Sequence, residues 1–301
     1  MRKIERKVLA IIGPTAVGKS ALAVALARKF GGEIISADSR QVYKGLDIGT
    51  GKITKKEMGG VPHHLLDIAN PRRQFSVSEY QKAARQSLKD IFSRGKIPIV
   101  VGGTGLYVQA IVNDVSFPEV PPNGILRKKL ENKTVTGLFK MLKKLDSRRA
   151  KTIDPNNPRR LVRAIEIATA LGKVPPYQNS PRRDIEPLFI GLALPNEELK
   201  KRIALRLRER IRKGMLSEVK RLHAGGLSWE RMEALGLEYR YISRYLRGLL
   251  SNEEMTLKLQ SEIFQYAKRQ MVWFKRDTRI TWFKPNERRS IERTVREFLS
   301  S

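Results

Sequence analysis

The 301-residue chain contains no cysteine and only three histidines. The first absence removes disulfides, thiolate metal sites and cysteine nucleophiles from consideration. It fits a reducing compartment, so a cytoplasmic protein is expected. Two of the histidines, His63 and His64, are neighbours with no third ligand at metal spacing, so a packed or hydrogen-bonded ring is expected there and a zinc centre is not. Long apolar runs are missing as well. None approaches the roughly 20 residues of a membrane span, and no membrane partner is expected. The opening MRKIERKVLAIIG is basic and then apolar. Its apolar part is about six residues long and runs straight into a glycine loop, which reads as a strand and not as a signal peptide.

Acidic residues are scarce beside basic ones: 30 against 60, for a formal net charge of +30. Residues 1–113 hold 19 basic and 8 acidic side chains, so the excess is no terminal tail. A field of this size concentrates polyanions and favours a nucleic-acid partner over a merely solvated basic surface. With 41% hydrophobic and 30% charged residues the chain can still bury a core. Its length suits one large domain, or one carrying a smaller insert.

What is present begins with strand–helix alternation. KVLAII (7–12), EIISA (33–37) and IPIVVGG (97–103) are short apolar runs of the kind buried in parallel sheets. SALAVALARKF (20–30) has high helix propensity and is stopped by Gly31–Gly32; residues 75–95 read as a helix capped by Ser76 or Ser78 and ended by Gly95. The predicted fold is α/β, a parallel sheet with helices on both faces. The pattern breaks near 114, at the proline-rich VSFPEVPPNG (115–124), and basic helical segments follow over about 124–151 and 158–171. PLFIGLALP (187–195) returns as a strand, and the chain from 196 onward reads as almost wholly helical. The expected organisation is a core of residues 1–114 and 185–301 with a helical insert of 115–184.

The chemistry starts at GPTAVGKS, Gly13 to Ser20, between a strand and a helix. That context makes the spacing a phosphate-binding loop: backbone N–H groups and a helix start close on phosphate oxygens, Lys19 adds a mobile charge, and Ser20 can ligate Mg²⁺. Asp38 follows the second strand and Thr104 the third. In an open parallel sheet these strand ends line the ligand crevice. Each also has a plainer use, Asp38 as the cap of the next turn and Thr104 as an ordinary helix cap. A small-molecule kinase and a base acting on a weak nucleophile such as an exocyclic amine both remain open on these residues alone.

Taken together, GPTAVGKS, DSRQVYKGLDIGTGK (38–52), GVPHHLLD (60–67), VGGTGLYVQA (101–110), DPNNPRRLVRAIE (154–166) and AKRQMVWFKR (267–276) resemble the tRNA dimethylallyltransferase family in order and spacing, over most of the chain. The resemblance implies a phosphate-loop fold with a helical insert and a helical C-terminal region. It implies transfer of a dimethylallyl group from dimethylallyl diphosphate to N6 of adenosine 37 in the anticodon stem-loop of tRNA, with Mg²⁺ as cofactor and a monomer as the working form. Asp38 would be the general base, with Thr104 beside the reacting centre. Gly13, Pro14, Thr15, Ala16, Val17, Gly18, Lys19, Ser20 and Arg206 would hold the diphosphate, and Ser20 the metal. Arg206 sits among other arginines at 202, 208, 210 and 212. Asp38, Ser39, Arg40, Gln41, Thr104, Arg127, Arg159, Arg160, Leu161, Val162, Arg163, Lys268, Arg269, Gln270, Trp273 and Lys275 would meet tRNA. For Trp273 core packing is the competing use, and for Lys268 and Arg269 a solvated face.

The chain departs from the family pattern at Gly51, where alanine is usual, at Ile53, where proline often follows, and at Arg210, which replaces a common apolar residue. MEALGLEYRYISRYL (232–246) is two residues longer than the usual version, and contacts around Gly236 to Arg240 are not carried over. The alternatives are a prenyltransferase of free adenine nucleotides, a phosphate-loop kinase, and a non-catalytic RNA-binding protein. The net charge and basic insert disfavour the first, and the presence of Asp38, Thr104, Lys19 and Ser20 the last.

Overall fold

The computed structural model describes residues 6–301. The chain enters as strand β1 (Arg6–Ile12), whose VLAII segment is almost wholly buried. Helix α1 (Lys19–Phe30) follows the glycine loop and ends where Gly31 turns left-handed and donates its N–H to Ala27 O. Then come β2 (Gly32–Ser36), α2 (Lys55–Met58), β3 (His63–His64), α3 (Val77–Ser93), β4 (Ile97–Gly102), α4 (Gly105–Val112) and β5 (Asn113–Val115). Ser76 starts α3 through a capping box with Glu79, which satisfies two otherwise unpaired N–H groups.

Residues 115–180 form a separate compact unit. The predicted helical stretch 124–151 is three helices: α5 (Gly124–Glu131), α6 (Val135–Leu145) and the single turn α7 (Ser147–Ala150). Helix α8 (Pro158–Leu171) carries proline at its first position and is capped by Asn157. Leu130, Leu138, Leu142, Leu161 and Ile165 make this unit's core. The chain leaves it through β6 (Asn179–Pro181), which pairs with β5 in a two-stranded sheet. The compact unit ends at Ser180, four residues short of the expected 184, and the main sheet resumes at Ile185.

The first unit resumes with β7 (Ile185–Leu192), α9 (Asn196–Arg212), α10 (Met215–Ala224), α11 (Trp229–Leu235), α12 (Leu237–Leu246), α13 (Asn252–Phe274), β8 (Ile280–Phe283) and α14 (Arg288–Ser300). Its sheet has six strands in the order β3-β2-β4-β1-β7-β8, with parallel pairing throughout. Strand β1 lies at the centre, with Ile12 level with Gly102 on one side and Gly191 on the other. The α/β expectation holds. The edges were not foreseen: β3 has two residues, and β8 is four residues inside a region that reads as helical. Leu22, Ala23, Leu26 and Ala27 of α1 pack one core together with Ile11, Ile99 and Ile190 of the sheet and Ile291 and Val295 of α14.

Candidate active site at the carboxyl edge of the sheet

Three strands end side by side and each hands on a different group. From β1 the chain turns at Gly13, with φ of +141° and so close to the neighbouring strand that a Cβ would stand 2.4 Å from Leu192 O. Only glycine fits that approach. Val17 is fully buried and anchors the loop. Lys19 folds back, donating to Gly13 O at 3.0 Å and Pro14 O at 2.7 Å. Burial pushes its ammonium down to about 7; Asp38 opposes that shift and Arg206 adds to it. Ser20 is exposed at the first turn of α1.

Past β2, Asp38 Oδ1 accepts from Arg40 N at 2.8 Å and Gln41 N at 3.3 Å. The turn-capping use is therefore real, but it occupies one oxygen. Oδ2 accepts no hydrogen bond among the described residues. Past β4, Thr104 stands at the cap position of α4 yet makes no side-chain cap bond. Its hydroxyl oxygen accepts from Ser39 N at 3.1 Å, which ties the β4 end to the loop carrying Asp38. Tyr266 reaches in from α13; its phenol is pushed up to about 12, first by burial of the hydroxyl and then by the charge of Asp38. The ring remains 36% exposed.

Arg206, on α9, completes the cationic side. It is half-buried and, among the described residues, has neither hydrogen bond nor ion pair. Burial pulls its guanidinium down to about 10, helped by the charge of Arg210 and opposed by Glu238, Glu209 and Glu57. A part-buried cation without an acidic partner is placed for an anion from outside the chain.

Several supporting groups carry no local sequence signal. Glu218, 1% exposed in α10, accepts the N–H groups of Asp47, Ile48 and Gly49 at 3.0, 2.7 and 3.0 Å and the Tyr239 hydroxyl at 2.8 Å. It fixes the loop that leads away from Asp38. Lys52 closes the same loop on Tyr43 O, Asp47 and Asp67. Only the fold reveals these partners, since they lie far apart in the chain.

The tRNA-facing set divides. Gln270 is 6% exposed and holds Thr15 N at 2.8 Å and Gly103 O at 2.9 Å, so it braces the phosphate loop against the end of β4 and does not face outward. Leu161 is fully buried in the core of the 115–180 unit and is corrected from contact to core, while Val162 is half-buried and packs against that core. Arg127 donates two hydrogen bonds to Glu166, at 2.7 and 2.9 Å, and Arg163 donates to Glu166 at 3.3 Å and to Val120 O at 2.8 Å. Both guanidiniums are thus committed to a carboxylate with no exposure of its own. Arg40, Arg159, Arg160, Lys268, Arg269 and Lys275 are exposed, while Ser39 and Gln41 are half-buried beside Asp38. Trp273 is half-buried with its indole against Gly105, the packing use foreseen for it.

His64 meets Glu33 at 2.7 Å and His63 meets Val61 O at 2.8 Å, so both rings are hydrogen-bonded. No cluster of three or more metal-ligating side chains, and no helix long and apolar enough to cross a membrane, occurs among the described residues.

Residues 41–277 match the family model described as IPP transferase. A tRNA dimethylallyltransferase of Anoxybacillus flavithermus is 43% identical over 297 residues, covering 97% of this chain and 95% of the relative. The full-length tRNA isopentenylpyrophosphate transferase of Bacillus halodurans superposes with a TM-score of 0.74 at 36% identity, over 98% of this chain and 97% of that one. A eukaryotic dimethylallyltransferase acting on tRNA gives a TM-score of 0.82 at 29% identity, covering 98% and 80%.

Proposed function

Since the chain belongs to the IPP transferase family of tRNA dimethylallyltransferases, we propose that it transfers the dimethylallyl group of dimethylallyl diphosphate to N6 of adenosine 37 in tRNA. The observation that carries this reading is the convergence of Lys19, Asp38, Thr104 and the unpartnered Arg206 on one edge of the sheet.

The N6 lone pair of adenine is delocalised into the ring and attacks poorly, so the reaction needs a base, a good leaving group and close alignment. As the bond from C1 of the allyl group to N6 forms, the C1–oxygen bond to diphosphate breaks. The N6 proton passes to Asp38, whose Oδ2 has no other claim on it. Thr104, fixed through Ser39, orients the base and the transferred group. The leaving diphosphate gains charge. Loop N–H groups, Lys19 and Arg206 therefore hold the transition state more tightly than the ground state, and one such donor is worth about 3 kcal/mol.

The donor set suits a magnesium ion that arrives on its substrate: one exposed hydroxyl, Ser20, and no carboxylate cluster among the described residues. Ser20 would hold it, and the ion would neutralise diphosphate charge. The adenosine must leave its stack, which costs less in an anticodon loop than in a duplex. Exposed Arg159, Arg160, Lys268, Arg269 and Lys275 would meet tRNA phosphates.

The test is a transfer assay with labelled dimethylallyl diphosphate, Mg²⁺ and unmodified tRNA, without ATP, beside a reaction on AMP and one with Asp38→Ala. Label in tRNA alone, lost in the variant, is the expected result. Label in AMP, or ATP hydrolysis with no label transferred, would overturn the reading.

A further inference from the structure

Arg206 and Arg210 are one turn apart on α9 and therefore share a face. They differ in what they touch. Arg210 Nη1 lies 3.2 Å from Glu238 Oε1 and 3.4 Å from Gly49 O. The side chains of Arg210 and Glu238 are 14% and 19% exposed, so the pair sits largely out of bulk water. What admits the guanidinium is Gly51. A Cβ built there would stand 1.8 Å from Arg210 Nη2 and 2.6 Å from its Cζ. A side chain at position 51 would force the Arg210 guanidinium to shift from this seat, and at φ of +58° it would also strain the backbone.

Glu238 lies within the electrostatic reach of both arginines and of Asp38. A largely buried carboxylate in the field of two guanidiniums pairs with one of them. Whichever arginine it leaves unpaired is the one available to a ligand anion. Here Arg210 holds the pair and Arg206 holds none.

We propose that Arg210, seated in the notch left by Gly51, is a positioning residue of the diphosphate site: it engages Glu238 and so keeps Arg206, one turn away, unpaired and available to the diphosphate. The inference rests on the reading of the phosphate loop as a diphosphate site. Its consequence is a competition between two arginines for one carboxylate. Losing Arg210 does more than delete a charge, since it leaves Glu238 to capture Arg206. Neutralising Glu238 removes the captor, and with it the damage.

The experiment uses the full chain with Gly51→Ala, Arg210→Met, each of these combined with Glu238→Gln, and Arg206→Met as reference. Binding of inorganic pyrophosphate is measured by calorimetry, and KM and kcat for dimethylallyl diphosphate at saturating tRNA. Gly51→Ala and Arg210→Met should each weaken pyrophosphate binding about tenfold, equivalent to about 1.4 kcal/mol, and raise KM more than they lower kcat. Adding Glu238→Gln should bring both back toward wild type. A residue that merely packs gives the opposite result, with each double variant worse than its single. The two single variants disturb the Arg210–Glu238 pair by separate routes, so failure of one to fold leaves the other to report. Doubles no better than singles, or Gly51→Ala binding pyrophosphate as wild type does, would overturn the inference while leaving the diphosphate site intact. Absence of pyrophosphate binding in the wild type, or no loss in Arg206→Met, would overturn the diphosphate reading and the inference with it.

Discussion

Arg127 in the 115–180 unit and Arg206 in the sheet unit are both half-buried guanidiniums on helices. Arg127 grips Glu166 with two hydrogen bonds, and Arg163 adds a third to the same carboxylate. Arg206 grips nothing among the described residues. The first arrangement is closed, with both guanidiniums held on a buried carboxylate inside the unit. The second is open, and desolvation lowers the pKa of both Arg206 and Lys19. A protein holds cations in the open state at a cost in stability, and a bound anion returns that cost. In a chain with 60 basic residues, the absence of a partner separates ligand-binding cations from structural ones better than abundance does.

The comparison breaks most sharply at Lys19. Lys19→Ala should lower transfer about a thousandfold, the upper range for removing a donor to developing negative charge, with no loss of melting temperature. A fall in both would make Lys19 a structural cation like Arg127. Next is Arg127→Met, which leaves Glu166 buried with one partner fewer. Its expected cost is about 3 kcal/mol of stability, read from thermal or denaturant unfolding, while pyrophosphate affinity is unchanged. An unchanged melting curve would mean that the pair is dispensable.

The pH dependence sharpens the contrast further. Folding lowers the Lys19 pKa from 10.5 to about 7. Between these values the unfolded chain binds the proton and the folded chain releases it, so the destabilisation is full below pH 7 and fades as pH rises toward 10.5. Diphosphate favours the charged form. Binding at pH 8 should therefore take up a fraction of a proton, visible as a buffer-dependent enthalpy in calorimetry, and Lys19→Arg should abolish the uptake. The smallest expected effect is on the surface. Arg159→Ala or Arg160→Ala should weaken tRNA binding evenly across tRNA sequences and reduce the salt slope by about one each. No change in slope would leave these side chains merely solvated.

The glycine loop, Asp38 and Thr104 stand out in the sequence because each is announced locally, by glycine spacing or by following a short apolar run that reads as a buried strand. The main strands and the capping of α3 by Ser76 were legible for the same reason. Residues within AKRQMVWFKR were less so. Gln270 lies among cations that face solvent, yet its own side chain turns inward to brace Thr15 and Gly103. Position on a helix face decides that, and composition does not. Leu161 likewise falls in an arginine-rich run but on the buried side of α8.

By itself the sequence determined the strand–helix alternation, the glycine loop between β1 and α1, the separate basic unit and the carboxylate and hydroxyl at adjacent strand ends. These follow from propensities and spacings that act over a few residues. Only the tertiary structure decided which charges are paired. Glu166 meets Arg127 across 39 positions, Glu218 reaches the 47–49 turn across 169 to 171, and Arg210 finds its seat at Gly51. The strength of a charge in a protein depends on burial and partner, and both are set by contacts between segments that carry no local mark of each other.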